Sequence, residues 1–121
     1  LRDLVASHGG TAFWGLIDDD RFVCLSVAEA GAKEAMGLAA GHVYLARETA
    51  IPVALERRGP GFVTEADGRS TLLTRLSNRR GHDLGWIGLS LPPGSRLPDP
   101  GSLSARMAGL FETPQDAEID A

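Results

Sequence analysis

Gly85-Trp86-Ile87-Gly88-Leu89-Ser90-Leu91 alternates with a period of two and is closed by Pro92-Pro93-Gly94. Ile87, Leu89 and Leu91 fall on one face, and Trp86, Gly88 and Ser90 on the other. The stretch reads as a strand, and the prolines that follow cannot continue it. Alternation recurs near the start of the chain. Thr11 to Ile17 places Phe13 on one face and Trp14 and Leu16 on the other; Asp18-Asp19-Asp20 turns the chain, and Arg21 to Val27 returns. This is the clearest hairpin in the sequence. Before it, Leu1, Leu4 and Val5 share one side of a short helix that His8-Gly9-Gly10 closes.

Between these strands the expected elements are helical. Thr49 caps a helix with Pro52 in its first turn, Ile51, Ala54 and Leu55 on its apolar face, Arg57 and Arg58 in its last turn, and Gly59-Pro60-Gly61 as its stop. Lys33 to Ala39 is a weaker strand candidate, and Phe62-Val63-Thr64 a short extended piece in the loop that follows Gly59. Ser70 caps a second helix running to Arg80, with Leu72, Leu73 and Leu76 as its buried stripe and Gly81 as its stop. Ser102 to Phe111 alternates and is expected as the last strand, and Thr113-Pro114 opens a further helix. The resulting order is that of an α+β antiparallel fold rather than a parallel α/β one.

At 121 residues the chain forms one domain, with 43% hydrophobic and 23% charged residues. A net charge of −4 does not suit a nucleic-acid-binding surface. Cys24 is the single cysteine, so an internal disulfide is ruled out. It alternates with Phe22 and Ser26 and reads as a small buried hydrophobe. No apolar run approaches a membrane span and no signal peptide is visible, so a cytoplasmic protein with no membrane partner is expected. From the start at Leu1 and the helix opening at Thr113, a domain excised from a longer chain is expected.

Chemistry is sparse. Three consecutive aspartates read as a solvated turn, and His8, His42 and His82 lack metal-ligand spacing, so no metal and no cofactor are expected. No G-x-S-x-G elbow or phosphate-binding glycine loop occurs. An enzyme reading would rest on Ser90 or Ser104 with His82 alone, and no enzyme is expected. The most informative row is Ser102, Ser104 and Arg106 on one face of the last expected strand, two hydroxyls and a guanidinium that suit a carboxylate. If that strand pairs with Gly85–Leu91, the row adjoins Trp86, Gly88 and Ser90, where a tryptophan beside a glycine leaves space for a small molecule.

These segments together resemble the effector-binding domain of the IclR family of bacterial transcription regulators. Leu45-x-Arg47-x-x-Ala50 followed by Ala54-Leu55 is similar to its P-L-x-R-G-A-A-G-x-A-x-L segment, and Arg75…Arg80-Gly81-His82 to its R-x-R-G-Y. Gly88-Leu89-Ser90-Leu91-Pro92 and Pro100-Gly101-Ser102-Leu103-Ser104-Ala105 resemble its closing strands. The resemblance implies an antiparallel GAF-like sheet with helices on one side and a small-molecule effector pocket on the other. It also implies a DNA-binding domain outside this stretch and a homo-oligomer. By position it assigns Thr49, Ala50, Asp83 and Ser104 to the ligand; the residues themselves add Trp86, Ser90 and Arg106. The expected function is small-molecule sensing, with a small carboxylate as effector. Glu48 and Ile51 stand where the family pattern has glycines, and their bulk supports the alternative, a ligand-free module for dimerisation or protein contact.

Overall fold

The computed structural model describes residues 1–31, 38–49, 52, 59–65, 67–77 and 80–109. Helix α1 (Arg2–His8) leads into β1 (Thr11–Asp18) and β2 (Arg21–Glu29), the expected hairpin. Then come β3 (Val43–Leu45), a 3-10 turn (Ala46–Glu48), β4 (Val63–Thr64), β5 (Ser70–Ser77), β6 (Asp83–Leu91) and α2 (Pro100–Gly109). The six strands form one sheet in the order β3-β2-β1-β6-β5-β4, every pairing antiparallel. β6 lies inside the sheet between β1 and β5, which is why both of its faces carry buried side chains.

Two expectations are corrected. The segment read as a helix from Ser70 is strand β5, paired in register with β6 from Ser70↔Leu91 to Leu76↔Gly85, with an irregularity before Ser77↔Asp83. Leu72 and Leu76 are four apart, a spacing that a helix stripe and one face of a strand share. The sheet resolves the ambiguity by burying Leu72 and Leu76 on one face and Thr71 and Leu73 on the other. The segment read as the last strand is helix α2, which therefore pairs with no strand. Asp99 caps it, accepting the Ser102 N–H at 2.9 Å through Oδ2, and Pro100 occupies its first position. Leu103 and Met107, one turn apart, are its buried residues. Most of the expected Thr49–Gly59 helix, most of Lys33–Ala39 and the Thr113-Pro114 helix start lie outside the described residues.

The faces of the sheet differ in what covers them. On one side Leu4 and Val5 of α1 and Leu103 and Met107 of α2 close over Ala12, Leu72, Leu76, Ile87, Leu89 and Leu91. Two polar contacts fix the helices there: Thr74 and Ser104 share a hydrogen bond of 2.8 Å, and Arg106 donates to Ser7 Oγ at 3.2 Å. On the other side Phe13, Phe22, Cys24, Val63, Leu73 and Trp86 form a second cluster. Phe13 and Phe22 meet edge to face, ring centroids 5.9 Å apart. Cys24 is fully buried there, and burial pushes its thiol pKa up, as suits a small core residue.

Candidate functional site

The cluster beneath the second face does not extend evenly across it. At the β5–β6 end the apolar residues give way to Arg69, Thr71 and Ser90, all buried, with Arg69 only 6% exposed. Arg69 precedes β5 by one residue and is placed by a tight turn. Gly68 donates its N–H to Glu65 O at 2.9 Å with φ at +89°, Arg69 N donates to Asp67 Oδ1 at 3.0 Å, and Glu65 N donates to Arg69 O at 2.7 Å. The side chain then reaches β6, donating from Nε to Ser90 Oγ at 2.9 Å and from Nη2 to Ser90 O at 3.1 Å.

The contacts continue from Ser90. Thr71 Oγ1 lies 3.0 Å from Ser90 Oγ and 2.7 Å from Glu65 Oε2. Thr71 is the donor to both, so its single proton is shared between the Glu65 carboxylate and Ser90 Oγ. A cation and an anion thus lie at the two ends of a contact chain that passes through two buried hydroxyls. This is how the sheet tolerates a charged side chain so deep, since a buried charge without compensation is costly.

Arg69 and Glu65 both line a cavity of about 270 Å³. Among the described residues, Leu38, Tyr44, Glu48, Thr49 and Asp67 also line it. Tyr44 is anchored by its hydroxyl, which accepts the Ala39 N–H at 2.8 Å. Thr49 closes the 3-10 turn, its hydroxyl donating to Ala46 O at 2.6 Å. Among the described lining residues the deep charge, Arg69, is positive and the exposed charges, Glu48 and Asp67, are negative. A larger furrow of about 580 Å³ runs between α1 and the end of β2, but its charged groups, Arg2 and Glu29, are both exposed.

The residues singled out from sequence are not brought together. Thr49 lines the cavity, and Ser90 lies behind its wall as the partner of Arg69. Trp86 is buried on the same face within the apolar cluster. The space expected above Gly88 is filled by the Phe13 ring, which a Cβ on Gly88 would strike. Ala50 lies outside the described residues. Asp83 sits at the opposite end of β6 from Ser90, roughly 23 Å away along the strand. It is exposed, accepts the Gly85 N–H at 2.9 Å and pairs with Arg75 at 3.4 Å. The Gly85 N–H above all, with Arg75 helping, holds its carboxyl below the usual carboxylate range.

Ser104 and Arg106 belong to α2, on the helix-covered side of the sheet. Helical spacing breaks up the Ser102–Ser104–Arg106 row: Ser104 turns to Thr74, while Arg106 is exposed beside Ser7. The residues that sequence reading missed are Arg69, Glu65 and Tyr44. The only local signal was Asp67-Gly68 immediately before the buried strand, a turn that fixes where the next side chain points.

No family model and no curated protein matches the chain. Solved structures do. It is similar to the GAF-B domain of DevS from Mycobacterium smegmatis, with a TM-score of 0.60 at 18% identity over 97% of this chain and 85% of that one. It is likewise similar to a structure of the second GAF domain of DevS from the same organism, with a TM-score of 0.58 at 20% identity over 96% and 82%. At these identities the likeness is one of fold. The expected GAF-like antiparallel sheet is the fold of this chain; membership of the IclR family is not shown.

Proposed function

We propose that this domain is a small-molecule-sensing regulatory module, its ligand site the cavity between the 3-10 turn and Arg69. The observation that carries this reading is the buried guanidinium of Arg69, fixed in a cavity wall through Ser90. The effector class is a small carboxylate, taken by Arg69 in place of the Arg106 of the sequence reading, because a guanidinium fork suits a carboxylate. Its anionic end points inward, away from Glu48 and Asp67. Following the IclR-like order of segments, the module belongs to a bacterial transcription regulator and biases a DNA-binding domain elsewhere in the polypeptide. It does so by favouring one conformation or dimer arrangement.

A thermal-shift panel of carboxylates of three to six carbons tests this, since a ligand that binds only the native state raises the melting temperature. At least one should stabilise the wild type and Arg106→Ala alike and leave Arg69→Met unmoved. A panel without effect, or one that acts equally on Arg69→Met, overturns the reading.

The second reading, a protein-contact module, draws on a different surface. Leu16, Val23 and Val43 are cross-strand neighbours on β1, β2 and β3, and Leu16 and Val43 are 40% and 55% exposed. Sedimentation velocity separates the readings: Val43→Lys should lower the association state if this row is an interface.

A further inference from the structure

We infer that the exposed strip of the helix-bearing face, across β1, β2 and β3, is a docking site for a short basic amphipathic helix. The inference deepens the protein-contact reading of the Leu16–Val23–Val43 row and is independent of the Arg69 cavity. Strand parity defines the strip. Ile17, Phe22, Cys24 and Tyr44 all belong to the cluster on the second face, so their sequence neighbours Leu16, Val23, Leu25, Val43 and Leu45 face the other way. Trp14 and Ala28, farther along β1 and β2, pack against the core that α1 and α2 close. The strip is therefore the continuation of a helix-covered face. On it Leu16 and Leu25 are each 40% exposed and Val43 is 55% exposed. Leu25 is the extra residue of a bulge, since Cys24 pairs with Gly15 and Ser26 with Trp14.

The dimensions are those of one helix. Three strands spaced about 4.8 Å apart make the strip roughly 10 Å across, and Leu25 to Arg21 along β2 is about 14 Å. A helix of about nine residues has that length, and a width of about 10–12 Å with its side chains. The end of the strip sets the charge of the occupant. Asp18 and Arg21 pair across the β1–β2 turn on the strip's own face, with Asp19 and Asp20 between them in sequence. The 3-10 turn adjoins that turn, Ala46 donating its N–H to Asp20 O at 2.7 Å, and brings Arg47 and Glu48. Among these described residues the carboxylates of Asp18, Asp19, Asp20 and Glu48 outnumber the guanidiniums of Arg21 and Arg47, which favours a cationic occupant. A helix with apolar side chains at i, i+3, i+4 and i+7 and lysines or arginines flanking them answers both the strip and its end.

Fluorescence anisotropy with labelled peptides of about fourteen residues tests this. One peptide has leucines at i, i+3, i+4 and i+7 and lysines elsewhere; a second has the same residues in scrambled order, and a third has glutamate for every lysine. The first should bind at least tenfold more tightly than either of the others, and several-fold more weakly at high salt than at low. Val43→Thr and Leu25→Gln are uncharged changes at exposed positions and should leave cooperative melting intact. Each should weaken the first peptide several-fold, and the two together at least tenfold. Asp19→Asn combined with Asp20→Asn should shrink its advantage over the glutamate peptide. Equal binding of the ordered and scrambled peptides, or binding unmoved by both strip variants, overturns the inference. If no peptide binds but Val43→Lys lowers the association state, the strip belongs to a second copy of the chain; the inference falls and the protein-contact reading stands. If neither peptide binding nor association depends on the strip, both fall.

Discussion

Strand β6 serves two environments with one stretch of chain. Ile87, Leu89 and Leu91 enter a dry core under α1 and α2, whereas Trp86, Gly88 and Ser90 enter a face that is aromatic in the middle and charged at one end. Two helices already cover the first face. The second keeps Arg69 and Glu65 beside a cavity and joins them through the hydroxyls of Ser90 and Thr71. The difference teaches where stability and recognition reside: bulk apolar burial does not need exact polar geometry, and a buried guanidinium does.

Substitutions on β6 should separate the two roles. Leu89→Ala, emptying a fully buried site on the helix-covered face, should cost about 3 kcal/mol in urea denaturation and leave carboxylate affinity unchanged. Gly88→Ala should cost about 2 kcal/mol by overpacking, since its Cβ would strike the Phe13 ring and displace the aromatic cluster. If Gly88→Ala proved neutral, the second face would be loosely packed and the contrast would weaken.

A smaller effect belongs to the cap of α2. The Ser102 backbone N–H, then its hydroxyl, hold the Asp99 carboxyl below its usual range. A folded-state pKa below the unfolded one contributes stability that is present above the ordinary carboxylate value and lost as pH falls through the lowered one. The melting-temperature gap between wild type and Asp99→Ala should therefore be open at pH 6 and close below about pH 4. Smallest of all, Arg106→Ala should stay within about 0.5 kcal/mol of wild type, because the side chain is exposed and its hydrogen bond to Ser7 is a surface one. A large loss of carboxylate affinity in that variant would restore the sequence-based site and break the assignment to Arg69.

Much of the fold was legible in the sequence. The β1–β2 hairpin, β6, the opening helix and the buried Cys24 follow from alternation and turn residues, and the antiparallel α+β class from their order; the GAF-like form was implied by the family resemblance. β5 was misread because Leu72 and Leu76 satisfy both periods; the β-branched Thr71 and Thr74 were the signal for strand. α2 was misread because alternation across Leu103, Ala105 and Met107 outweighed Asp99-Pro100, the cap that decides it. The candidate site was far less legible. Thr49 and Ser90 lie at it, but Arg69 and Glu65 sit in a stretch that reads only as loop. Burial of an arginine depends on Ser90, twenty-one residues away in sequence, and has no local signature.

The strand order carries a kinetic consequence. β1 closes on β2, and β5 on β6, through short connections, yet the sheet becomes continuous only when β1 finds β6. Trp14 donates its indole N–H to Leu84 O across 70 residues of chain, and the register Thr11↔Ser90 spans more. Loop-closure entropy must be met before that seam rewards it, so refolding is expected on the millisecond-to-second scale, with two local hairpins formed ahead of a slower zipping at the centre. On this view the residues at the core of the finished sheet are the last to find one another.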